Sequence, residues 1–180
     1  MNGYQQSDLL SLIGKHKELA VINRSRRGFL TRKQPSQQQR LPWIKDENTF
    51  TDHCLRCSAC VDACQTKVII KGDGGFPVVD FNHGEGECSF CYQCADICPE
   101  PLFEPQHQLP WTQVATINSS CIALKNIECR SCGDQCETQA ITFSLQVAKV
   151  AQPVINQANC SGCGACINGC PVAAIEMITP

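Results

Sequence analysis

The sequence is poor in aromatic residues and has no long apolar segment. Aromatic side chains make up 6% of the 180 residues, and the 43% hydrophobic fraction counts sixteen cysteines, so the apolar core is lean. No stretch approaches the roughly 18 apolar residues of a membrane span, and residues 1–22 lack the features of a cleavable export signal. Nucleotide-binding glycine motifs, a nucleophile elbow and a c-type haem signature are also missing. We therefore expect no membrane span, no enzyme activity, and a fold stabilised by metal–thiolate bonds.

The charge is divided unevenly along the chain. The formal net charge is −2, but residues 1–45 carry nine basic and two acidic residues, a net of +7. The remaining residues, 46–180, carry six basic and fifteen acidic residues, a net of −9. This distribution predicts an acidic body with a basic N-terminal arm. The acidic body argues against a nucleic-acid partner, because phosphate binding requires an extended basic face.

The basic arm contains two recognisable segments. Residues 7–22 have apolar side chains at helical spacing after a suitable N-cap and predict a short amphipathic helix, which packs on the body or binds a partner. Residues 25–30 resemble a twin-arginine export motif, but polar residues 31–40 follow where an export signal needs an apolar segment. We therefore interpret Arg26 and Arg27 as a partner-docking pair, with a solvated charge run as the alternative.

The cysteines fall into four runs with a shared spacing, C-x2-C-x2-C-x3-C. This spacing, followed by proline, is typical of bacterial ferredoxins that hold two [4Fe–4S] cubanes. In the fourth run Asn126 occupies the position of the first cysteine, and Cys121 is the nearest substitute. The three complete runs are Cys54, Cys57, Cys60, Cys64; Cys88, Cys91, Cys94, Cys98; and Cys160, Cys163, Cys166, Cys170. The remaining cysteines of the fourth run are Cys129, Cys132 and Cys136.

The two halves of the cysteine-rich region are a duplication. Seven cysteines recur at an offset of 72 residues, from the pair Cys57 and Cys129 to the pair Cys98 and Cys170. Each half contains a cysteine run, a short apolar strand, a turn, a second strand and another run. We expect an α+β fold with two tandem bacterial-ferredoxin-like modules after a helical or irregular basic arm. The predicted segments are the arm 1–45, modules 46–104 and 121–180, and a proline-rich connector 105–120.

The ferredoxin pattern also predicts which cysteines act together. The first three cysteines of a run bind three irons of one cube, and the fourth binds the other cube of the pair. This exchange defines four [4Fe–4S] sites, which we number I to IV. They are Cys54, Cys57, Cys60, Cys98 (site I); Cys64, Cys88, Cys91, Cys94 (site II); Cys136, Cys160, Cys163, Cys166 (site III); and Cys121, Cys129, Cys132, Cys170 (site IV).

The cysteines have three possible roles other than binding four cubanes: disulfides, zinc sites and an incomplete cluster at site IV. Disulfides are expected in small secreted chains, and without an export signal the cysteines indicate a reducing compartment, the cytoplasm. Zinc sites usually combine two C-x2-C pairs about 12–20 residues apart, which differs from runs of four. Cys121 lies eight residues before Cys129, so site IV is a complete cubane, a three-iron cluster or a labile site.

The residues around the runs are more specific than the cysteine spacing alone. They are Ser25, Arg26, Arg27, Gly28; Pro42, Trp43, Glu47, Phe50; His53, Arg56, Ala59; Glu87, Ser89, Phe90, Tyr92, Ala95, Pro99, Glu100; and Glu128, Arg130. Together with the cysteine runs, these residues resemble the NapF family, ferredoxin-type proteins of the periplasmic nitrate reductase system. The resemblance covers residues 24–176. The resemblance implies a cytoplasmic accessory protein that acts on the catalytic subunit of that reductase before its export. Cluster loading and redox conditioning are the implied roles, and an electron-transfer subunit is the alternative.

Overall fold

The computed structural model describes residues 39–180. The predicted helix 7–22 and the docking pair Arg26 and Arg27 lie outside these residues. The helices are α1 (Glu47–His53), α2 (Ala59–Ala63), α3 (Gln93–Asp96), α4 (Ser131–Asp134) and α5 (Ala165–Asn168). The strands are β1 (Ile69–Lys71), β2 (Pro77–Val79), β3 (Val114–Ile117), β4 (Ile141–Gln146), β5 (Lys149–Ile155) and β6 (Ile175–Ile178). Short 3-10 turns occupy Asp73–Gly75 and Gln157–Asn159.

The duplication is visible in the elements. Helix α3 begins at residue 93 and α5 at residue 165, and strand β2 begins at residue 77 and β5 at residue 149, so both pairs are 72 residues apart. In each half an antiparallel hairpin, β1–β2 or β4–β5, lies between two short helices. β-Branched residues favour these strands, and the turns between them are short. The expected mixture of small helices and strands is therefore confirmed for residues 39–180.

A third pair of strands joins the predicted connector to the end of the chain. Strand β3 lies within residues 105–120 and pairs antiparallel with β6, with Val114 opposite Ile178. This pairing has no clear local signal in the sequence, because both strands have four residues and prolines precede the first. The connector is thus part of the second half's framework as well as a link between the halves.

Cysteine side chains form part of both small cores. In the first half Cys64 and Cys94 pack with Val68, Ile69 and Val79. Buried residues Ala115, Ile141 and Ile175 surround Cys132 and Cys166 in the second half. Since sulfur atoms take the places that apolar side chains would fill in a conventional core, the stability of the fold depends on what the sulfur atoms bind.

Segment 39–53 covers the first half. The Asp46 carboxylate caps α1 by accepting a hydrogen bond from the Thr49 amide, and this bond lowers the pKa of Asp46. Phe50 is fully buried, and the Arg40 guanidinium lies 5.0 Å from its ring centroid while pairing with Glu47. Helix α1 is therefore held against the first half by one aromatic anchor.

The two halves meet through the run 88–98 and the run 160–170. The Cys88 amide donates a 2.8 Å hydrogen bond to the Cys163 carbonyl oxygen. The Trp111 indole donates to the Ser161 carbonyl oxygen at 3.0 Å. Gly164 has a φ of +91°, and a side chain there would collide with the ring of Phe81. This junction brings the second run of each half together.

Candidate iron–sulfur sites

The three complete runs share an unusual backbone conformation. The residue two positions after the first cysteine has positive φ in each run: 55° at Arg56, 54° at Phe90 and 73° at Gly162. Two positions later φ is again positive, at Ser58, Tyr92 and Gly164. Where right-handed and left-handed residues alternate, successive backbone N–H groups point into one concave surface called a nest. Nests bind anions and occur at many iron–sulfur sites. The complete runs are therefore shaped to surround an anionic cluster.

Two of these left-handed residues are aromatic, and the structure explains how they are tolerated. A left-handed conformation costs a bulky residue roughly 1–2 kcal/mol. Phe90 packs edge-on against Trp111, with ring centroids 5.8 Å apart, and Tyr92 packs against Trp43 at 5.0 Å. The Tyr92 hydroxyl also donates to the Glu104 carbonyl oxygen. These contacts offset the strain and place an aromatic wall beside site II.

In the first half, each predicted set of four cysteines surrounds one cavity. The cavity of site I is lined by Cys54, Cys57, Cys60 and Cys98, together with the buried ring of Phe50. A second cavity is lined by the four cysteines of site II, which are Cys64, Cys88, Cys91 and Cys94. The fourth cysteine of each run therefore lies with the first three of the other run. This is the arrangement that crossed ligation requires, and ligation itself stays a prediction.

The second half places its cysteines in the same way. A cavity is lined by the four cysteines of site IV, Cys121, Cys129, Cys132 and Cys170. At site III, burial, then the charges of Cys163 and Cys160 and, more weakly, those of Cys132 and Cys136 raise the pKa of Cys166. The structure thus brings Cys121 to the other three cysteines of site IV despite its displaced position in the sequence.

The buried thiols are difficult to ionise without a metal. Burial, followed by the negative charges of neighbouring cysteines, raises the pKa of Cys94 and of Cys166 to about 12. The same causes raise the pKa of Cys60, Cys88 and Cys132 to about 11. Cluster ligands must be thiolates. Positively charged iron would offset the cost of ionising these buried groups.

The donor set fits a cluster better than a single ion. Within residues 39–180, no group of three or more His, Cys, Asp or Glu side chains is arranged to hold one metal ion. A zinc ion needs its sulfur ligands about 2.3 Å from one point, whereas a cubane has one cysteine on each of four irons. Four cysteines around one cavity, with nests of backbone N–H groups in the complete runs, therefore match a [4Fe–4S] cluster.

The fourth run differs from the others at the backbone. Arg130, at the position where complete runs are left-handed, has a φ of −131°. Asn126 itself is left-handed, with a φ of 65°, and its side-chain oxygen accepts a 3.0 Å hydrogen bond from the Val150 amide. Asn126 therefore anchors its loop to strand β5. This role was missed by sequence reasoning, which treated Asn126 only as a missing ligand.

Turns between residues 118 and 127 allow Cys121 to approach site IV. The Cys121 amide donates to the Asn118 carbonyl oxygen, and the Ile127 amide donates to the Ile122 carbonyl oxygen. Ala123 is fully buried beneath the loop, while residues 124–128 are all exposed. The loop is thus anchored at its base and open to solvent beside the cluster cavity.

Comparison with known proteins agrees with this construction. The family model of the 4Fe–4S dicluster domain matches residues 53–103, and a second 4Fe–4S dicluster model matches residues 125–174. The ferredoxin-type protein NapF of Escherichia coli K12 is 46% identical over 156 residues, covering 86% of this chain and 94% of the relative. The chain belongs to the NapF family. NapF of Haemophilus influenzae is 44% identical over 171 residues, covering 88% of this chain and 96% of the relative.

Family membership confirms the resemblance and the coarse architecture. As a NapF protein, the chain has two tandem 4Fe–4S ferredoxin-like domains and carries [4Fe–4S] clusters. The methylamine utilization ferredoxin-type protein MauM of Methylorubrum extorquens is more distant, 29% identical over 157 residues, with 77% of this chain and 71% of the relative covered. Among the helices of residues 39–180, none is long and apolar enough to cross a membrane. The number of clusters, expected to be four, stays a prediction.

Proposed function

We propose that this NapF protein helps to mature the catalytic subunit of periplasmic nitrate reductase in the cytoplasm, before that subunit is exported. Its clusters would be held by the four cysteine sets defined above, with modules 46–104 and 121–180 carrying two each. Bound clusters supply one-electron redox chemistry, and the cluster at site IV would also be the cargo that passes to the partner. The protein's own role is to hold that cargo and present it, without being an enzyme by itself.

One observation carries this proposal: site IV is built differently from the complete sites. Its first cysteine comes from a displaced loop, and the left-handed residue found in the complete runs is replaced by Arg130, whose φ is −131°. Exchange of ligands requires an incoming thiolate to reach the iron. The exposed segment 124–128 next to Cys121 leaves room for that approach. A site used only to relay electrons would gain nothing from a displaced ligand.

Apolar residues at the edge of site IV suit contact with another protein. Leu124 and Ile127, in the displaced loop, are exposed, and so is Val172 beside Cys170. Val172 and Cys170 both line the site IV cavity. We expect the partner to contact this edge when it takes the cluster, and the basic arm with Arg26 and Arg27 to supply additional attraction.

The deciding experiment is transfer to the apo form of the nitrate reductase catalytic subunit under anaerobic conditions. After incubation and separation, we expect iron and sulfide in the partner and a loss of about one cluster from this chain. An Arg26→Ala, Arg27→Ala variant should keep its cluster content but transfer more slowly, because docking is weakened. Transfer of electrons alone, with all clusters retained here, would contradict the maturation role.

A second function, electron transfer to a reductase, is favoured by the junction between the halves. The Cys88 amide, predicted for site II, donates a hydrogen bond to the carbonyl oxygen of Cys163, predicted for site III, which supports adjacent sites at this junction. Crossed ligation also pairs site I with site II and site III with site IV. Adjacent sites suit an electron relay. Retention of all clusters in the transfer experiment would support this second function.

A further inference from the structure

Two threonines occupy equivalent places in the duplicated halves and are not accounted for by cluster ligation. Thr66 follows Cys64 by two residues, and Thr138 follows Cys136 by two residues, so the threonines are 72 residues apart. The Thr66 hydroxyl lies 3.7 Å from the Cys64 sulfur. The Thr138 hydroxyl lies 3.6 Å from the Cys136 sulfur. Both distances are within hydrogen-bonding range for sulfur, and the same contact therefore occurs in both halves.

The two threonine contacts involve the fourth cysteine of the first run in each half. A further hydroxyl contact lies at site IV, where the Ser131 hydroxyl is 3.8 Å from the Cys129 sulfur. In the second runs, the residues two positions after Cys98 and Cys170 are Glu100 and Val172, which have no hydroxyl. Cys64 and Cys136 are the cysteines that crossed ligation assigns to sites II and III. These two sites lie at the junction between the halves. The two threonines therefore occupy equivalent positions at the two inner sites.

Burial separates the two threonines. Thr66 is only 6% exposed and lines the site II cavity beside Val68 and Val79. Its carbonyl oxygen accepts a 2.8 Å hydrogen bond from the Glu85 amide, which fixes the backbone beneath the hydroxyl. Thr138 is exposed, so water competes with its hydroxyl for the sulfur. The contact at Thr66 is protected from water, and the one at Thr138 is not.

The direction of the hydrogen bond follows from the ligand's charge. A cysteine bound to iron is a thiolate and can only accept, so the threonine hydroxyl donates. Reduction adds one electron, supplied by an external low-potential one-electron donor, and increases negative charge on the cluster and its sulfurs. A donor hydrogen bond stabilises the more negative form, and hydrogen bonds to sulfur are among the factors that set cluster potentials.

We infer that Thr66 is a positioning residue that raises the reduction potential of the cluster at site II through its hydrogen bond to Cys64. Thr138 also raises the reduction potential of its cluster, at site III, but by less. Its hydroxyl is exposed, and a water molecule can donate to the sulfur in its place. This inference rests on the proposed ligand sets, but it involves no partner protein and no transfer of a cluster. It assigns a larger electronic effect to the buried Thr66 at site II than to the exposed Thr138 at site III.

The test is an anaerobic redox titration of the full chain, with reduced clusters followed by electron paramagnetic resonance. Thr66→Val removes the hydroxyl and keeps a similar shape. We expect one midpoint potential to fall by about 59 mV, which corresponds to a tenfold weaker one-electron reduction. Thr66→Ser keeps the hydroxyl and should restore most of the shift. Thr138→Val is the matched control and should shift another cluster by less than half as much.

A separate measurement covers the case in which Thr66→Val does not load its clusters. The unaltered protein and Thr66→Ser, reconstituted in D2O, should show an exchangeable deuteron coupled to a reduced cluster, and Thr66→Ala should lack this deuteron. An unchanged titration in Thr66→Val, equal shifts from both threonines, or the same deuteron signal in Thr66→Ala would overturn the inference. Failure of cluster transfer to the reductase subunit would leave these results unaffected, so the two proposals fail separately.

Discussion

Anaerobic removal of iron with a chelator is expected to unfold most of residues 39–180. The small cores contain Cys64, Cys94, Cys132 and Cys166 in place of apolar side chains. Metal centres contribute on the order of 10 kcal/mol of binding free energy, similar to the roughly 5–15 kcal/mol that stabilises a whole domain. Loss of the clusters should therefore remove the cooperative thermal transition.

Circular dichroism and hydrogen exchange would measure this change. We expect the chelated protein to lose protection in hairpins β1–β2 and β4–β5 and to regain it after anaerobic reconstitution with iron and sulfide. Incubation with a chelator already saturated with iron is the control, because it separates removal of metal from binding of the chelator. An iron-free protein that keeps its thermal transition and its protected amides would show that the apolar contacts suffice.

Cys121→Ser is expected to remove one cluster and leave the other three. Cys121 lines the site IV cavity with Cys129, Cys132 and Cys170, and a serine oxygen is a poorer ligand for iron than thiolate sulfur. Sites I to III share none of these cysteines. Native mass spectrometry of the anaerobic protein should therefore show a loss equal to one cubane, and Ser120→Ala, the neighbouring exposed position, should show none.

Adding Asn126→Cys to Cys121→Ser is not expected to restore the lost cluster. Residue 126 occupies the first position of its run, as Cys54 does in the first run. Its φ is 65°, whereas that of Cys54 is −64°, so a cysteine at residue 126 would leave the backbone in a different direction. The substitution also removes the bond to Val150, at a cost of about 1 kcal/mol. Full restoration by Asn126→Cys, or four clusters in Cys121→Ser alone, would refute the role given to Cys121.

Much of the framework could be predicted because the cysteine spacing repeats. An offset of 72 residues implies that both halves fold alike, and helices α3 and α5 begin at that offset. The ligation pattern of two-cluster ferredoxins also predicts which four cysteines bind the same cluster. The structure accordingly gathers the predicted cysteines of sites I, II and IV around one cavity each, including the displaced Cys121 of site IV.

Other features could not be predicted, because they depend on contacts between distant segments. Strands β3 and β6 are short, and within residues 39–180 each has the other as its strand partner. The left-handed backbone of Phe90 and Tyr92 is contrary to their local preference and is maintained by Trp43 and Trp111. The bond between Asn126 and Val150 depends on the β4–β5 hairpin. Sequence spacing predicts the ligands, whereas tertiary packing determines how accessible each predicted site is.

The most direct test of the four-site arrangement is a count of iron and sulfide in the anaerobically purified protein, combined with electron paramagnetic resonance. We expect about sixteen irons and sixteen sulfides per chain, and after reduction only signals of [4Fe–4S] clusters. A count near twelve irons and twelve sulfides would show that site IV does not hold a cubane. Zinc in place of iron, or a three-iron signal that persists in fully loaded protein, would contradict the arrangement itself.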